Sequence, residues 1–345
     1  GGSVEYAFAR TALEAPASPS SRSPDCSVSS LGLHIPQLAG AQAQLPTGPL
    51  HLAVGMFDGV HLGHRAVLET AITSARRTRG VAAALTFDPH PSRLLNPLGA
   101  VPLIQSVGTK VDRMLMAGLD AVITESFTRE FAAVEAEDFV AHLKAALPTL
   151  EAIYVGENWR FGRGRRGDVT MLNECAQAAG LRVFSAPRVN FDGMPISSTR
   201  IRQALAAGEI ELVNALLGYT YRCRGEVVAG RKLGRQLGFP TLNLRWAPEC
   251  PPKFGVYAVR ASIAGEASYQ EGVANYGVRP TVEPEGSTMP QLEVHLFEAP
   301  SFGTGTMIDV EWCAYLRSEK RFEKIEELRD QITVDRGGAR QWFDG

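Results

Sequence analysis

Residues 55–64 are Gly55-Met56-Phe57-Asp58-Gly59-Val60-His61-Leu62-Gly63-His64. They begin at the end of an apolar segment, Leu50 to Met56, that is typical of a buried strand, and they run into a helical pattern, Arg65 to Arg77. A second apolar segment, Val81 to Phe87, predicts another strand. A strand, a helix and a strand in succession form a βαβ unit, which favours a parallel sheet covered by helices.

A regular alternation of strands and helices extends this pattern to residue 215. It predicts an α/β domain over residues 47–215, built on a Rossmann-like parallel sheet. The further strands expected are Ala121 to Thr124, Ala152 to Val155 and Arg182 to Ser185, and the further helices are Lys110 to Ala117 and Glu137 to Ala146.

The second part of the chain, residues 216–345, has a different pattern. Short alternating segments separated by glycine and proline predict a small antiparallel β-barrel, with strands at Tyr257 to Arg260, Leu292 to Phe297 and Ile308 to Trp312. Apolar residues at helical spacing, Ile325, Leu328 and Ile332, predict a closing helix.

The start of the chain is rich in serine and proline. Between Ala15 and Ser30 there are seven Ser and three Pro, a composition that buries too little apolar surface to offset the entropy of ordering. We expect residues 1–46 to be a mostly disordered leader and assign it no function. A transit peptide is the alternative, and Glu5, Glu14 and Asp25 argue against it.

The composition excludes several classes of protein. The 345 residues carry 35 Lys and Arg against 37 Asp and Glu, so the chain lacks the basic excess of a protein that wraps nucleic acid or lies on an anionic membrane. Five cysteines without a C-x-x-C pair argue against structural zinc and a disulfide framework. No apolar run is long enough to span a bilayer. We expect a cytoplasmic protein with neither nucleic acid nor membrane as a partner; no oligomeric state is predicted.

The glycine-rich loop has the position of a phosphate site. In a parallel sheet, ligands bind at the carboxyl ends of the strands, where a helix N-terminus offers unpaired N–H groups. His61 and His64 are three residues apart and can donate to one anion there. A bare H-x-x-H pattern is more often a pair of surface histidines, but the full ten-residue string in this context favours the phosphate site.

Two more clusters have a similar composition. Gly156 to Asp168 follows a predicted strand and holds four arginines within seven residues, which suits either a solvated loop or one that gathers phosphates. Ser197-Ser198-Thr199, with Arg200 and Arg202, stands at a predicted helix start. Hydroxyls there are most often helix caps, and the two arginines make a second anion site the alternative.

These motifs resemble a known family. Gly55 to His64 resembles the H-x-G-H signature of α/β nucleotidyltransferases, and Ser197-Ser198-Thr199 with Arg202 resembles their I-S-S-T-x-x-R motif. Thr86 to Pro91 and Gly156 to Gly162 are similar to motifs of the bacterial FAD synthetases. Class I aminoacyl-tRNA synthetases share the histidine motif, but their K-M-S-K-S loop is absent here.

The resemblance implies adenylylation of FMN by ATP, giving FAD and pyrophosphate. The phosphate of FMN is already largely dianionic at neutral pH, its second pKa being about 6, so its attack needs charge stabilisation and no base. His61 and His64 are therefore assigned an electrostatic part in catalysis. The residues implied in ATP and phosphate binding are Gly55, Phe57, Asp58, Gly63, Asn158, Arg160, Ser197, Ser198, Thr199 and Arg202.

A second glycine-rich loop lies in the barrel half. Three glycines, Gly230, Gly234 and Gly238, alternate with basic residues, which favours a backbone cradle for phosphate. Thr241 and Asn243 follow Pro240 and offer hard oxygen ligands that suit Mg²⁺. On the strand Leu292 to Phe297, alternation puts Glu293 and His295 on one face, where an exposed glutamate would be the commonplace interpretation.

Residues 225–335 resemble the riboflavin kinase family. The similarity lies in the Pro240-Thr241-x-Asn243 loop and in further segments, Gly255 to Tyr257, Asn275 to Thr281, Glu293 to Leu296, Leu316 to Phe322 and Gln331 to Asp335. It implies that Glu293 is the catalytic base and that Thr241 and Asn243 bind Mg²⁺. The implied ATP and phosphate ligands are Gly230, Lys232, Gly234, Gly238 and Pro240, and the implied flavin contacts are Arg317 and Phe322.

Both resemblances together predict a bifunctional riboflavin kinase and FAD synthetase that uses riboflavin, FMN and ATP and forms FAD. One alternative is a flavin- or nucleotide-binding regulator on the same fold that has lost one or both activities; the intact motifs argue against it. Another is an adenylyltransferase for a different acceptor, such as pantetheine phosphate or nicotinamide mononucleotide, which the kinase-like half disfavours.

Overall fold

The computed structural model describes residues 4–5, 32–230, 238–278 and 290–345. The chain folds into two compact units. The first unit comprises Gly1–Pro102 and Ser106–Ser197, and the second comprises Leu103–Gln105 and Ser198–Gly345. Lys232 and Gly234, predicted to bind phosphate in the second unit, lie outside the described residues.

The first unit is built on a six-stranded parallel sheet of order β2-β5-β4-β3-β6-β7. A three-stranded sheet of order β1-β8-β9 accompanies it. The strands are β1 (Val4–Glu5), β2 (Leu33–Ile35), β3 (Leu50–Val54), β4 (Val81–Phe87), β5 (Ala121–Glu125), β6 (Leu150–Gly156), β7 (Arg182–Ala186), β8 (Val189–Phe191) and β9 (Met194–Pro195).

Helices cover both faces of the large sheet. Small residues face one side, where Ala53 of β3 and Ala82 of β4 pack with Ala71 of the first helix, while Leu52 and Leu85 lie in a second cluster on the other side. The doubly covered parallel sheet confirms the predicted α/β class. The helices are α1 (Leu62–Thr78), α2 (Pro91–Leu95), α3 (Val107–Met116), α4 (Arg129–Ala132), α5 (Phe139–Ala146) and α6 (Val169–Ala178), with 3₁₀ turns at Ala41–Ala43, Pro97–Gly99 and Arg163–Arg165.

The expected disorder up to residue 46 does not hold for residues 32–46. Strand β2 is an edge strand of the large sheet and pairs in parallel with β5, Ile35 lying opposite Ile123. Ile35 and Leu38 are 0% and 2% exposed, so this short segment buries enough apolar surface to be ordered. The remainder of the expected leader, except for Val4–Glu5, lies outside the described residues.

The second unit contains a closed antiparallel barrel of order β10-β11-β14-β13-β12-β15, as the sequence predicts. Trp312, fully buried, packs against Tyr257, Tyr276 and Trp246. The elements are α7 (Ser198–Ala207), α8 (Ile210–Leu217), β10 (Arg222–Val228), β11 (Leu242–Arg245), β12 (Gly255–Ile263), β13 (Gln270–Val278), β14 (Pro290–Leu296), β15 (Met307–Arg317) and α9 (Ile325–Asp344).

The strand order indicates where a ligand would bind in the first unit. From β3 the chain continues to β4 and β5 on one side, and it later returns to β6 on the other side of β3. This reversal opens a crevice between the carboxyl ends of β3 and β6, which is where open α/β sheets bind ligands.

In the part of the chain that the structure describes, no helix is both long and apolar enough to cross a membrane.

Two candidate active sites

The loop after β3 is a tight, strained turn. Phe57, Gly59 and Val60 have φ angles of 52°, 84° and 39°, and a positive φ is costly for a β-branched residue such as Val60. Phe57 and Val60 are each 2% exposed, so packing holds the turn in this conformation. A Cβ on Gly55 would lie 3.0 Å from the Phe57 ring, which explains the glycine. The turn delivers the chain to His61 at the start of α1.

The two predicted histidines lie against each other at the N-terminus of α1. Their rings stack with centroids 3.6 Å apart, and His61 Nδ1 accepts the backbone N–H of His64 at 3.2 Å. His61 thus acts as the N-cap of the helix. Because Nδ1 of His61 is an acceptor, its neutral ring carries the hydrogen on Nε2.

His64 is held in a neutral form. Burial lowers its pKa well below the ordinary value, and the neighbouring His61 and the Lys110 ammonium lower it further. Its Nδ1 is buried and has no hydrogen-bond partner among the described residues. The ring of Phe57 meets it edge-on at 5.5 Å. An unpartnered polar atom at a helix N-terminus suits contact with a ligand.

Lys110 on α3 is a residue that the sequence analysis missed. Its side chain is buried, and its Nζ donates to the Met56 carbonyl at 3.2 Å, to Thr86 Oγ1 at 2.9 Å and to the Phe87 carbonyl at 3.5 Å. Burial lowers its pKa to about 8 although Asp58 and Asp88 favour its charge. In sequence it resembles any solvated lysine of a helix. The one available signal is its place next to Val111 and Met114 on the buried face of α3.

The loop after β6 forms a cavity of about 350 Å³ beside the β3–β6 crevice. Asn158 and Arg160, both predicted ligands, line it. Trp159 also lines it and stacks on Phe161, with ring centroids 4.8 Å apart. An aromatic wall with amide and guanidinium groups suits a nucleotide or a flavin.

Three of the four arginines of this loop are held in ion pairs. Arg163 pairs with Glu135 at 3.1 Å, Arg166 with Glu137 at 2.6 Å, and Arg160 with Asp168 at 3.5 Å. Arg165 also lines the cavity, has φ of 59°, and has no ion-pair partner within the described ranges. Ion pairs therefore hold three of the arginines, Arg165 lines the cavity, and the binding of phosphate by this loop stays a prediction.

The predicted Ser/Thr/Arg motif spans the boundary of the two units. Ser197 ends the first unit, and Ser198, Thr199 and Arg202 lie in α7 of the second. Their contact with phosphate stays a prediction. Gly63, in the first turn of α1, has room for only a small residue because a Cβ would lie 3.2 Å from the His61 ring.

In the barrel, three polar residues stand side by side on neighbouring strands. Glu293 of β14 pairs in register with Asn243 of β11 on one side and with Asn275 of β13 on the other. Leu292 and Val294 are fully buried, so the pleat turns Glu293 to the outer face. Side chains of directly opposed residues are close enough to interact. A carboxylate flanked by two amides results, and Glu293 is half-buried in it.

The described residues on either side of the start of β11 are of the types expected at a phosphate and cation site. A Cβ on Gly230 would lie 2.1 Å from Asn243 Nδ2, so the glycine lets the two chain segments touch. Gly238 has φ of 85°. Thr241 and Asn243 offer hydroxyl and amide oxygens, which are Mg²⁺ ligands by type. Among the described residues no group of three or more His, Cys, Asp or Glu could hold a metal ion.

His295 braces this segment from β14. Its Nδ1 donates to the Pro240 carbonyl at 2.9 Å, and the Phe239 ring meets it edge-on at 5.4 Å. Burial lowers the pKa of His295. The imidazole therefore holds the backbone just before Thr241 in place, which is a structural role the alternation pattern did not reveal.

The predicted flavin residues lie near the end of β15. Arg317 makes a bidentate ion pair with Asp335 of α9, at 2.7 and 2.6 Å, and donates to the Ser318 carbonyl at 2.8 Å. Gln331 donates to Asp335 as well. Phe322 is half-buried in the segment that joins β15 to α9. In this structure Arg317 ties α9 to the barrel, and its contact with flavin stays a prediction.

Two family models match different parts of the chain. A family model described as FAD synthetase matches residues 45–200, and one described as riboflavin kinase matches residues 217–343. The bifunctional riboflavin kinase/FMN adenylyltransferase of Escherichia coli K12 is 36% identical over 301 residues, 87% of this chain and 95% of that protein. The protein of the same description from Bacillus subtilis is 35% identical over 296 residues, covering 85% and 92%.

A solved structure extends the likeness to the fold. The crystal structure described as a macrolide-efflux protein from Streptococcus pneumoniae superposes with a TM-score of 0.78 at 28% identity. It covers 90% of this chain and 99% of that one, so both folds recur there.

Proposed function

The chain belongs to the family of bifunctional riboflavin kinases/FMN adenylyltransferases, and we propose that its two halves divide the two reactions. Residues 216–345 transfer the γ-phosphoryl group of ATP to riboflavin. Residues 47–215 transfer the adenylyl group of a second ATP to the resulting FMN and release pyrophosphate. The enzyme acts in the cytoplasm on small phosphorylated ligands, with neither nucleic acid nor membrane as a partner.

Glu293 accepts the proton in the kinase reaction. The primary alcohol of riboflavin is un-ionised at neutral pH, so phosphoryl transfer benefits from a carboxylate that takes its proton. The observation that carries this assignment is the register of β11, β14 and β13, which sets Glu293 between Asn243 and Asn275. The proton passes from the alcohol oxygen to a carboxylate oxygen of Glu293 as the new P–O bond forms.

Thr241 and Asn243 would hold Mg²⁺ at the same place. Their oxygens fit a hard cation, and Asn243 is the register neighbour of Glu293. When bound, the cation neutralises charge on the phosphates of ATP. The proposed ATP and phosphate ligands are Gly230, Lys232, Gly234, Gly238 and Pro240, and the proposed flavin contacts are Arg317 and Phe322.

His61 and His64 stabilise charge in the adenylyl transfer. The FMN phosphate attacks the α-phosphorus of ATP, and no base is required because that phosphate is already ionised. His61 offers its Nε2–H, and the α1 N-terminus offers backbone N–H groups to the phosphates. His64 is neutral before substrate binds, so it contributes a hydrogen-bonding ring and not a fixed charge.

The remaining ligands proposed for this reaction come from the other motifs of the resemblance. Asn158 and Arg160 line the cavity after β6, at the carboxyl end of the strand beside β3. Gly55 and Gly63 let the backbone come close to the phosphates. Phe57, Asp58, Ser197, Ser198, Thr199 and Arg202 complete the proposed set.

Incubation of the purified protein with riboflavin, ATP and Mg²⁺, followed by chromatography of the flavins, tests the proposal. FMN should appear first and FAD later, with pyrophosphate released in the second step. Omission of Mg²⁺ with a chelator present should stop FMN formation. If FMN is formed and never adenylylated, the assignment of the first unit is wrong; if supplied FMN is adenylylated and riboflavin is not phosphorylated, the assignment of the barrel is wrong.

A further inference from the structure

Lys110 has the burial and contacts of a functional group that the established reactions do not explain. Its side chain is 7% exposed, and it lies on α3, outside every motif of the family resemblance. A buried lysine without a carboxylate bonded to it is unusual, because burial penalises the charge. Its three acceptors are two carbonyls and a hydroxyl.

These acceptors belong to the ends of two neighbouring strands. Met56 is the second residue after β3, and Thr86 and Phe87 end β4. Thr86 Oγ1 also donates to the Met56 carbonyl at 3.0 Å. The Met56 carbonyl oxygen therefore accepts hydrogen bonds from both the Lys110 ammonium and the Thr86 hydroxyl. The ammonium therefore clamps the first residues of the histidine loop to the end of β4. Downstream of this clamp lie the strained residues Phe57 and Val60, which hold their positive φ angles only if the surroundings determine them.

We infer that Lys110 is a positioning residue for FMN adenylylation: it fixes the β3–α1 loop through Met56 and Thr86 and so presents His61 and His64 to the phosphates. This inference rests on the proposed role of the two histidines. The ionisable groups that face Lys110 are Asp58 of the loop, Asp88 after β4 and His64 of α1. The two carboxylates keep the lysine cationic, and the lysine in turn disfavours protonation of His64.

Replacement of the lysine by an apolar side chain of similar length tests the inference. In Lys110→Met, kcat for adenylylation of supplied FMN should fall by about 10²-fold, the effect of a small displacement of catalytic groups, while riboflavin phosphorylation by the same molecules is retained. In ¹H–¹⁵N spectra of the histidine rings, with His64 assigned through His64→Gln, the pKa of His64 should rise. Lys110→Arg keeps the charge and should leave that pKa low.

Lys144→Met is the matched control. Lys144 also donates to two backbone carbonyls of the first unit, those of Pro148 and Leu150, but at the opposite end of the sheet from the loop. It should change neither the rate of adenylylation nor the pKa of His64. An unchanged kcat and an unchanged His64 pKa in Lys110→Met would overturn the inference, and so would equal loss of both activities. If His61→Asn and His64→Gln keep full adenylylation, the proposed role of the histidines has failed instead.

Discussion

His61 and His64 stack at 3.6 Å while the backbone N–H of His64 is bonded to Nδ1 of His61. One imidazole therefore caps the helix and the other lies against it with a lowered pKa. The cap needs an unprotonated Nδ1, so the fold fixes the face that His61 offers to a ligand. His61 thus has a structural role as the helix cap in addition to the chemical role proposed for both histidines.

Substitution of His61 separates these purposes. Asparagine is a strong N-cap without an imidazole, so His61→Asn should keep the stability of α1 and lose about 10²-fold in the rate of FMN adenylylation. His61→Ala should lose the same activity and also about 1 kcal/mol of stability. Urea unfolding and FAD formation from FMN measure the two effects. Full adenylylation by His61→Asn would show that only the cap matters.

Glu293→Gln tests the base of the kinase. The amide is isosteric but cannot take a proton, so FMN formation should fall by about 10²- to 10⁴-fold while adenylylation of supplied FMN is unchanged. Glu271→Gln is the control, because Glu271 lies on neighbouring β13 and pairs with the half-exposed Arg260 at 3.4 Å. Similar losses in the two variants would remove Glu293 from the mechanism.

Arg165 should contribute more to substrate binding than Arg163. The first lines the cavity unpaired within the described residues, whereas the second is bonded to Glu135. We expect Arg165→Met to raise the KM for ATP or FMN in adenylylation about tenfold, the worth of one charge-assisted hydrogen bond. Arg163→Met should change it far less. Steady-state kinetics of FMN adenylylation measure both KM values. An equal increase in the two variants would contradict the assignment of Arg165 to the substrate site.

Acid should destabilise the first unit through His64. Its pKa in the folded protein lies well below the ordinary value of 6.5, so the unfolded chain takes up a proton first as the pH falls. The stability that neutral His64 contributes above pH 6.5 is therefore lost as the pH falls from 6.5 toward the lower pKa of the folded protein. The denaturant concentration at the unfolding midpoint should decrease as the pH is lowered from 7 to 5, and it should decrease less in His64→Gln. His142 is exposed, and His142→Gln serves as the control. If this variant reduces the pH dependence of the midpoint as much as His64→Gln does, the effect does not arise at His64.

The ion pair between Arg317 and Asp335 should stabilise the second unit. Their side chains are 20% and 8% exposed, so Asp335→Ala leaves a largely buried guanidinium unpaired and should cost about 3 kcal/mol. Glu226→Ala breaks the exposed pair with Arg245, whose side chains are 75% and 41% exposed, and should cost less than about 1 kcal/mol. Equal costs in chemical denaturation would show that burial of the first pair does not strengthen it.

Much of the fold could be predicted because its strands are continuous apolar runs. Val81–Phe87 is buried along its whole length and has the predicted bounds. The pattern predicts that α1 starts at Arg65, three residues after its actual start at Leu62, because histidine is not a typical N-cap. Strand β2 was missed since three residues beside a Ser/Pro-rich stretch give too short a pattern.

The partners of charged residues could not be predicted from the sequence. Glu135 and Glu137 lie more than twenty residues from the arginines they bind, and Asp335 reaches Arg317 only because α9 folds back on the barrel. The same holds for Lys110, whose acceptors come from two other strand ends. Sequence motifs locate loops at strand ends, whereas charge pairing depends on the tertiary fold.

A mixing experiment tests the assignment of two reactions to two sites most directly. Riboflavin, ATP and Mg²⁺ are given to Glu293→Gln, to the double variant His61→Asn/His64→Gln, and to both together, and the flavins are separated. The first variant should leave riboflavin unchanged, the second should stop at FMN, and the mixture should form FAD. Formation of FAD from riboflavin by either variant alone would contradict the account.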